Sequence, residues 1–230
     1  MLGEWISFRK GSQPVEVFQK IRNNNVWQLT VKDLFDILVS HDIYIYFVNE
    51  EPKLMIYLYD GKRVNGVFGY GENNSIEEDY LEELKKQLTK FKCQHNEIGK
   101  VNNLVKLYAI KHKKDENEEL TKDELEFLYQ VKIPVKGFNN EVEDMLEEIL
   151  DTRDRNEDLS ELLNVSSDNI TDDINELNED TECFIGNLTL DEDNIGLVSN
   201  LKYVIGYIYI DNKNLRKDIH ATAYDIIVSN

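Results

Sequence analysis

Histidine, proline and cysteine are scarce in this chain: four, three and two among 230 residues. Cys93 and Cys183 are too few for a disulfide framework and stand in no CxxC spacing, which excludes structural zinc and dithiol exchange of the usual kind. His41, His95, His112 and His220 show no HExxH spacing, and no cysteine has a histidine beside it in sequence. Phosphate-binding loops are missing as well. Gly66-Val-Phe-Gly69-Tyr-Gly71 has the wrong spacing for GxGxxG and no following GKS or GKT, so strand glycines and a turn are the expected use. No apolar run approaches the roughly 20 residues a membrane-spanning helix needs. The opening Met1-Leu-Gly-Glu-Trp-Ile6 lacks the basic region and cleavage site of a secretory signal, so a cytoplasmic, non-membrane protein is expected. No catalytic, cofactor or metal motif stands out, and the expectation is a protein that is not an enzyme.

Basic residues are missing from one part of the chain in particular. Overall, 26 Lys+Arg face 45 Asp+Glu, a net charge of −19. Residues 1–134 carry only −3 of that, whereas 135–230 hold 7 basic and 23 acidic residues. Within the latter, residues 137–200 contain Arg153 and Arg155 alone against 20 acids. A field of one sign repels phosphate backbones and attracts basic clefts, so direct nucleic-acid binding by this half is disfavoured. With 41% apolar and 10% aromatic residues, the chain nevertheless has enough to bury a core.

Periodicity divides the chain. The first 40 or so residues read as helical: Val15, Phe18 and Ile21 recur at helical spacing, and Thr30-Val-Lys-Asp33 forms a capping box ahead of Leu34, Ile37 and Leu38. Ile43–Val48 and Leu54–Tyr59 are β-branched and aromatic, which predicts a hairpin turning at Glu50–Lys53; Asp60-Gly61 then turns into a third strand over Arg63–Tyr70. Ser75-Ile-Glu-Glu78 predicts a cap for a helix carrying Leu81, Leu84, Leu88 and Phe91. A second helix is expected from Val101 to His112 with Leu104, Leu107 and Tyr108 inward. A third opens at Thr121-Lys-Asp-Glu124 with Leu125, Leu128 and Tyr129. Beyond Pro134 and Gly137, residues Val142, Met145, Leu146, Ile149 and Leu150 define a helix with an acidic outer face, followed by a shorter one around Asp158–Leu163.

The last 50 residues repeat. Ile185-Gly-Asn-Leu188-Thr-Leu190-Asp-Glu-Asp193-Asn-Ile195 matches the leucine-rich spacing of apolar positions, and Ile205-Gly-Tyr-Ile208-Tyr-Ile210-Asp-Asn-Lys213-Asn-Leu215 repeats it twenty residues later. Tyr224–Asn230 is a third, imperfect copy. Each unit is expected to place one short strand in a parallel ladder; the alternative is an antiparallel hairpin. Two and a half coils cannot bury a core alone and would lean on the preceding helices. The fold class expected is therefore α+β: an α+β domain over 1–134 with a small antiparallel sheet, an acidic helical segment over 135–180, and short leucine-rich-like solenoid coils over 181–230.

Two acidic loops match a calcium-binding loop only in part. Asp115–Glu126 offers oxygens at positions 1, 3, 5, 9 and 12, but Leu120 replaces the glycine of the sixth position, and the Thr121 capping box accounts for the same residues. Asp154-x-Asn156-x-Asp158 has Val165 where the bidentate acid belongs. Tyr44, Tyr46, Tyr57, Tyr59 and Tyr70 cluster on the strands, but with few cations beside them and no RNP signature they suit a half-buried sheet better than base stacking.

Three segments together resemble a family of uncharacterised bacterial and mobile-element proteins: the strand pair Ile43–Tyr59 with Gly61–Gly69, the phrase Glu119-Leu-Thr-Lys-Asp-Glu-Leu-Glu-Phe-Leu-Tyr129, and the acidic run from Gly137 and Phe138 to Arg153, Arg155, Asn156, Asp158 and Leu159. That family ends in coils with an "NL…IGG" rhythm, to which Asn200–Gly206 is similar. The resemblance spans about residues 43–215, implies the same architecture, and carries no catalytic residue with it. Taken together, these features lead to the expectation of a non-enzymatic acidic interaction protein. It would be a phage or mobile-element inhibitor that mimics nucleic acid in the basic groove of a nuclease, in the anti-CRISPR manner. Its partner-binding residues would be Glu141, Glu143, Asp144, Glu147, Glu148, Asp151, Asp154, Glu157 and Asp158, with Tyr207 and Tyr209. The alternative is a repeat scaffold that binds a host protein through its sheet.

Overall fold

The computed structural model describes residues 3–22, 27–92, 95–192 and 194–228. Cys93, the His95 side chain, and Asp193 and the Lys213 side chain at the ninth repeat positions lie outside the described residues, as do the last two residues of the third copy. The architecture is mixed α+β, with an antiparallel four-stranded sheet near the N-terminus. The chain forms two compact units, Met1–Asn117 with Lys136–Glu148, and Glu118–Val135 with Ile149–Asn230. Pro134 and Gly137 thus flank one change of unit. The others, after Asn117 and after Glu148, carry no punctuation in the sequence.

The first unit is built on β1 (Glu4–Phe8), β2 (His41–Val48), β3 (Glu51–Tyr59) and β4 (Arg63–Gly69), paired in that order and all antiparallel. The opening of the chain is therefore not helical throughout: β1 pairs with β2, Trp5 opposite Tyr46 and Ser7 opposite Tyr44. Trp5 and Ile6 are adjacent, so this segment lacks the strict apolar–polar alternation that marks a strand. Helices α1 (Pro14–Ile21) and α2 (Val31–Leu38) follow. In α1 the helical period holds but its phase is shifted, with Val17 and Ile21 buried and Val15 exposed. The Thr30 capping box forms as expected: the Asp33 amide donates to the Thr30 hydroxyl and Asp33 accepts from the Thr30 amide at 2.8 Å.

Asn49 and Glu50 take positive φ of 51° and 65°, the backbone of a two-residue primed turn whose twist suits a hairpin. The turn therefore precedes the expected Glu50–Lys53, and Pro52 sits inside β3 beside a register shift, where a missing N–H costs no ladder bond. Asp60 and Gly61 turn into β4 in the same way, at φ of 50° and 65°. Side chains alternate across the sheet. Ile43, Ile45, Phe47 and Met55 pack with Val17, Ile21, Trp27, Leu34 and Leu38, and the Trp27 indole donates to the Gly69 carbonyl at 2.7 Å. On the opposite face Tyr44 meets Phe91 with ring centroids 4.5 Å apart, and Tyr46 meets Tyr80 at 6.3 Å. Tyr80 and Phe91 bracket α3 (Leu81–Lys90), which is followed by α4 (His95–Asp115). Ser75 does not cap α3: a 3-10 turn over Glu78–Tyr80 leads into it, the Ser75 amide bonds the Glu72 carbonyl, and the Glu78 carboxylate faces His112; the Ile76 amide is taken by Glu141.

The second unit opens with α5 (Lys122–Leu128), whose Thr121–Glu124 capping box is present. After α6 (Glu141–Leu150), which crosses from one unit to the other, come α7 (Arg155–Leu163) and six short strands. These are β5 (Ile170–Thr171), β6 (Cys183–Ile185), β7 (Leu188–Leu190), β8 (Tyr203–Ile205) and β9 (Tyr207–Ile210), followed by β10 (Asp225–Val228). They form two three-stranded sheets, β5-β6-β8 and β10-β9-β7, and all pairings are parallel, which excludes the antiparallel hairpin. Cys183 pairs with Tyr203 and Leu188 with Ile208, an offset of twenty in both ladders. Each twenty-residue period thus holds two short strands rather than the expected one. The break between them is the shared Ile-Gly: Gly186 has φ of 125°, and a Cβ on the buried Gly206 would lie 2.5 Å from the Gly186 carbonyl carbon. Polar residues stack at the same offset, Lys202 on Glu182 and the Asn212 amide on Glu192. Leu188, Leu190, Val198, Leu201, Ile208 and Ile210 fill the core beneath.

Candidate acidic interaction surface

Helix α6 separates its residues by period. Val142, Met145, Leu146 and Ile149 are buried, at i, i+3, i+4 and i+7, and Leu150 is half-buried. Glu143, Asp144, Glu147 and Glu148 face solvent. Glu141 does not: only 6% of it is exposed, and its carboxylate accepts from the Ile76 amide at 2.8 Å and the Phe138 amide at 3.5 Å. Burial pushes its pKa above the ordinary carboxylate value, against the pull of those two amides. Glu141 is thus an internal acceptor and leaves the expected set of outward acids. Nothing in the heptad pattern separates it from Glu143; the only hint is its position before the first apolar residue of the helix.

Glu148 is engaged differently. Lys111 reaches it at 2.6 Å, and Lys114 donates to its backbone carbonyl. Lys111 and Glu148, together with Glu72, Tyr108, Glu141 and Asp144, line a cleft of about 320 Å³ within the first unit. The Tyr108 hydroxyl donates to the Ile76 carbonyl at 2.9 Å, and its pKa is pushed up to about 12 by burial and then by the charge of Glu141.

In the second unit Asp151, Asp154 and Glu157 are exposed, and Asp154 also caps α7 by accepting from the Glu157 amide at 3.0 Å. Asp158 is half-buried. It takes the Arg153 guanidinium through two bonds of 2.6 and 2.7 Å and the Tyr129 hydroxyl at 2.5 Å. Burial raises its pKa, but the bonds from Arg153 and Tyr129 prevail and hold it below the usual carboxylate range. Arg155 pairs with Asp172 at 2.9 Å. Both arginines of the 137–200 stretch are therefore consumed by local acids. Glu143, Asp144, Glu147, Asp151, Asp154 and Glu157 have no ion pair among the described residues. The acids expected to share one face are carried by both units, Glu141–Glu148 by the first and Asp151–Asp158 by the second.

Tyr207 and Tyr209 lie on β9. Tyr209 is 36% exposed and stands in register between Thr189 and Ile227, itself 41% exposed. Tyr207 is half-buried, its ring edge-on to Tyr224 with centroids 5.5 Å apart. The apolar neighbour Ile227 was not singled out from sequence, because β10 departs from the twenty-residue offset.

No family model, curated protein or solved structure matches the chain. The arrangement itself must carry the reading. Cys183 is fully buried and its thiol is pushed up to about 12, mainly by that burial, which suppresses the reactive thiolate. The Nδ1 of His41 lies 2.8 Å from the Ser40 hydroxyl and 3.2 Å from the Ile37 carbonyl at the end of α2, and His112 faces Glu78 at 2.7 Å on the surface. Among the described residues, no group of three His, Cys, Asp or Glu could hold a metal ion, and no helix is long and apolar enough to cross a membrane. What the exposed acids offer is a dense set of anionic hydrogen-bond acceptors, the complement of lysine and arginine side chains.

Proposed function

We propose that this protein is a non-enzymatic interaction protein whose exposed carboxylates occupy the basic groove of a nucleic-acid enzyme. Its concrete form is a cytoplasmic inhibitor of phage or mobile-element origin that blocks a nuclease in the anti-CRISPR manner, binding no nucleic acid itself. The observation that carries the reading is the internal use of Arg153 and Arg155. With the only two cations of the stretch tied to Asp158 and Asp172, Glu143, Asp144 and Glu147 of the first unit, and Asp151, Asp154 and Glu157 of the second, are each left without an ion pair among the described residues. Such unpaired carboxylates speed encounter with a cationic groove and make affinity fall with salt. We further propose that the parallel ladders of residues 181–230 are short leucine-rich-like solenoid coils, as the resemblance to mobile-element proteins implies.

A second reading has its own support. Tyr209 and Ile227 lie side by side, exposed on the outward face of the β10-β9-β7 sheet, and such a face suits a scaffold that grips a host protein. One experiment separates the two. Binding to a CRISPR effector nuclease is measured at rising ionic strength for the parent, for Glu143→Gln/Glu147→Gln/Asp151→Asn/Glu157→Gln, and for Tyr207→Ser/Tyr209→Ser. Under the first reading the acid variant loses affinity and salt dependence while the tyrosine variant keeps both. Affinity that stays flat with salt, or that only the tyrosine variant loses, refutes it.

A further inference from the structure

Helix α2 carries two apolar faces, and the fold uses one. Leu34 and Leu38 are buried in the first core, while Val31, Phe35 and Val39 are 38%, 57% and 57% exposed. Residues four apart lie one above the other on a helix, so the three form one continuous stripe. Single exposed apolar side chains need no explanation, but an aligned set centred on a solvated phenylalanine does. Lys32 and Asp36 run along the solvent border of the stripe, one turn apart, exposed, and engaged in no ion pair among the described residues. Asp33, by contrast, is held in the capping box.

We propose that this stripe is the seam between two copies of the chain, α2 packing antiparallel on α2 about a two-fold axis. The border charges identify the occupant. In an antiparallel two-fold pair, each flank of one helix meets the same flank of the other in reverse order. Lys32 of one copy therefore faces Asp36 of the other, and the match is made twice. A foreign helix would need a charge pattern tailored to this one, whereas a second copy already has it. Residues 1–134 carry only −3 of the net −19, so this part of the chain is the one where like-charged copies repel least.

Sedimentation velocity from micromolar to millimolar chain tests the proposal. The parent shows a concentration-dependent monomer–dimer equilibrium. Phe35→Glu weakens it about a hundredfold, because the aromatic enters the seam from both sides. Lys32→Glu and Asp36→Lys each weaken it about tenfold, since each turns two attractions into repulsions. The doubly swapped chain returns to within about twofold of the parent, as coupled neighbours in a cycle should. The swaps place acid near the start of α2 and base near its end, which suits the helix dipole, and unchanged circular dichroism verifies that all variants fold. A parent that stays monomeric to millimolar concentration overturns the proposal, whatever other protein binds the stripe. So does a dimer indifferent to Phe35→Glu, or a double swap whose losses add.

Discussion

Gly206→Ala tests the twenty-residue stacking of the second unit at its tightest point. The added methyl would lie 2.5 Å from the Gly186 carbonyl carbon and closer still to its oxygen, well inside the roughly 3.5–4.0 Å of a comfortable heavy-atom contact. The obstacle is backbone, and it is pinned. The Gly186 amide donates to the Ile205 carbonyl at 3.0 Å, the Tyr207 amide to the Asn187 side chain at 3.0 Å, and the Tyr224 amide to the Gly206 carbonyl at 2.9 Å. Making room means separating neighbouring strands by about an ångström. Overpacking of this kind costs about 1–3 kcal/mol, and one or two weakened backbone bonds add about 0.5–1.5 kcal/mol each. A loss of about 2–4 kcal/mol is expected, within the second unit. Hydrogen exchange of amides 203–210 should then accelerate by about 30- to 1000-fold, at about 1.4 kcal/mol per factor of ten. Gly196→Ala is the control: nothing lies within 4 Å of its added methyl, and surface changes of that sort stay within about 0.5 kcal/mol. If the two variants exchange alike, strands β8 and β9 do not stack on β6 and β7 in this register.

Two buried or bonded acids give further tests. Glu141→Ala leaves the Ile76 and Phe138 amides without their acceptor and should cost about 1–3 kcal/mol in urea unfolding, whereas Glu141→Gln keeps an acceptor oxygen and removes the buried charge. Because the folded state holds the Glu141 proton more tightly than the ordinary value of 4.5, stability falls as pH rises from there through the raised value, and Glu141→Gln should flatten that fall. An identical pH profile for the two chains would refute the burial argument. Glu182 has the opposite sign. The Lys202 bond first, then the Ser166 amide, bring its pKa down to about 2, so its contribution is complete above about 4.5 and disappears as pH falls through about 2. Glu182→Gln should unfold more readily than the parent at neutral pH and equally at pH near 2, read as melting temperature; a constant difference across that range would contradict the pairing.

Local chemistry was legible where one residue decides it. Thr30 with Asp33 and Thr121 with Glu124 are reciprocal caps written into four consecutive residues, and both form. Asp60-Gly61 turns as its type demands. The repeated Ile-Gly fixed the twenty-residue offset, though not the two strands per period, because the role of Gly206 depends on a backbone twenty residues away. Strand β1 went unread since Glu4–Phe8 has meaning only beside β2. Ser75 illustrates competition: its capping signature is sound, but its own amide bonds the Glu72 carbonyl and the Glu78 carboxylate faces His112, while the next amide, of Ile76, is taken by Glu141, 65 residues on. The same long-range choice withdrew Glu141 from the candidate surface, and the half-burial of Asp158 beside Tyr129 was hidden for the same reason.

The acids that remain are informative because the structural uses have been subtracted. Glu141 satisfies two amides, Glu148 and Asp172 hold cations, Asp158 anchors Arg153 and Tyr129, and Glu182 binds Lys202 and the Ser166 amide. Glu143, Asp144, Glu147, Asp151 and Glu157 have no comparable task among the described residues. On α6, Glu143 with Glu147 places like charges four residues apart, a penalty of about 0.2–0.5 kcal/mol. A basic residue at either position would turn that pair favourable. Keeping them acidic at a cost to the helix makes sense when their charge is answered by something outside the chain. A groove lined with lysine and arginine, desolvated on contact, is the environment that reverses the sign of that term.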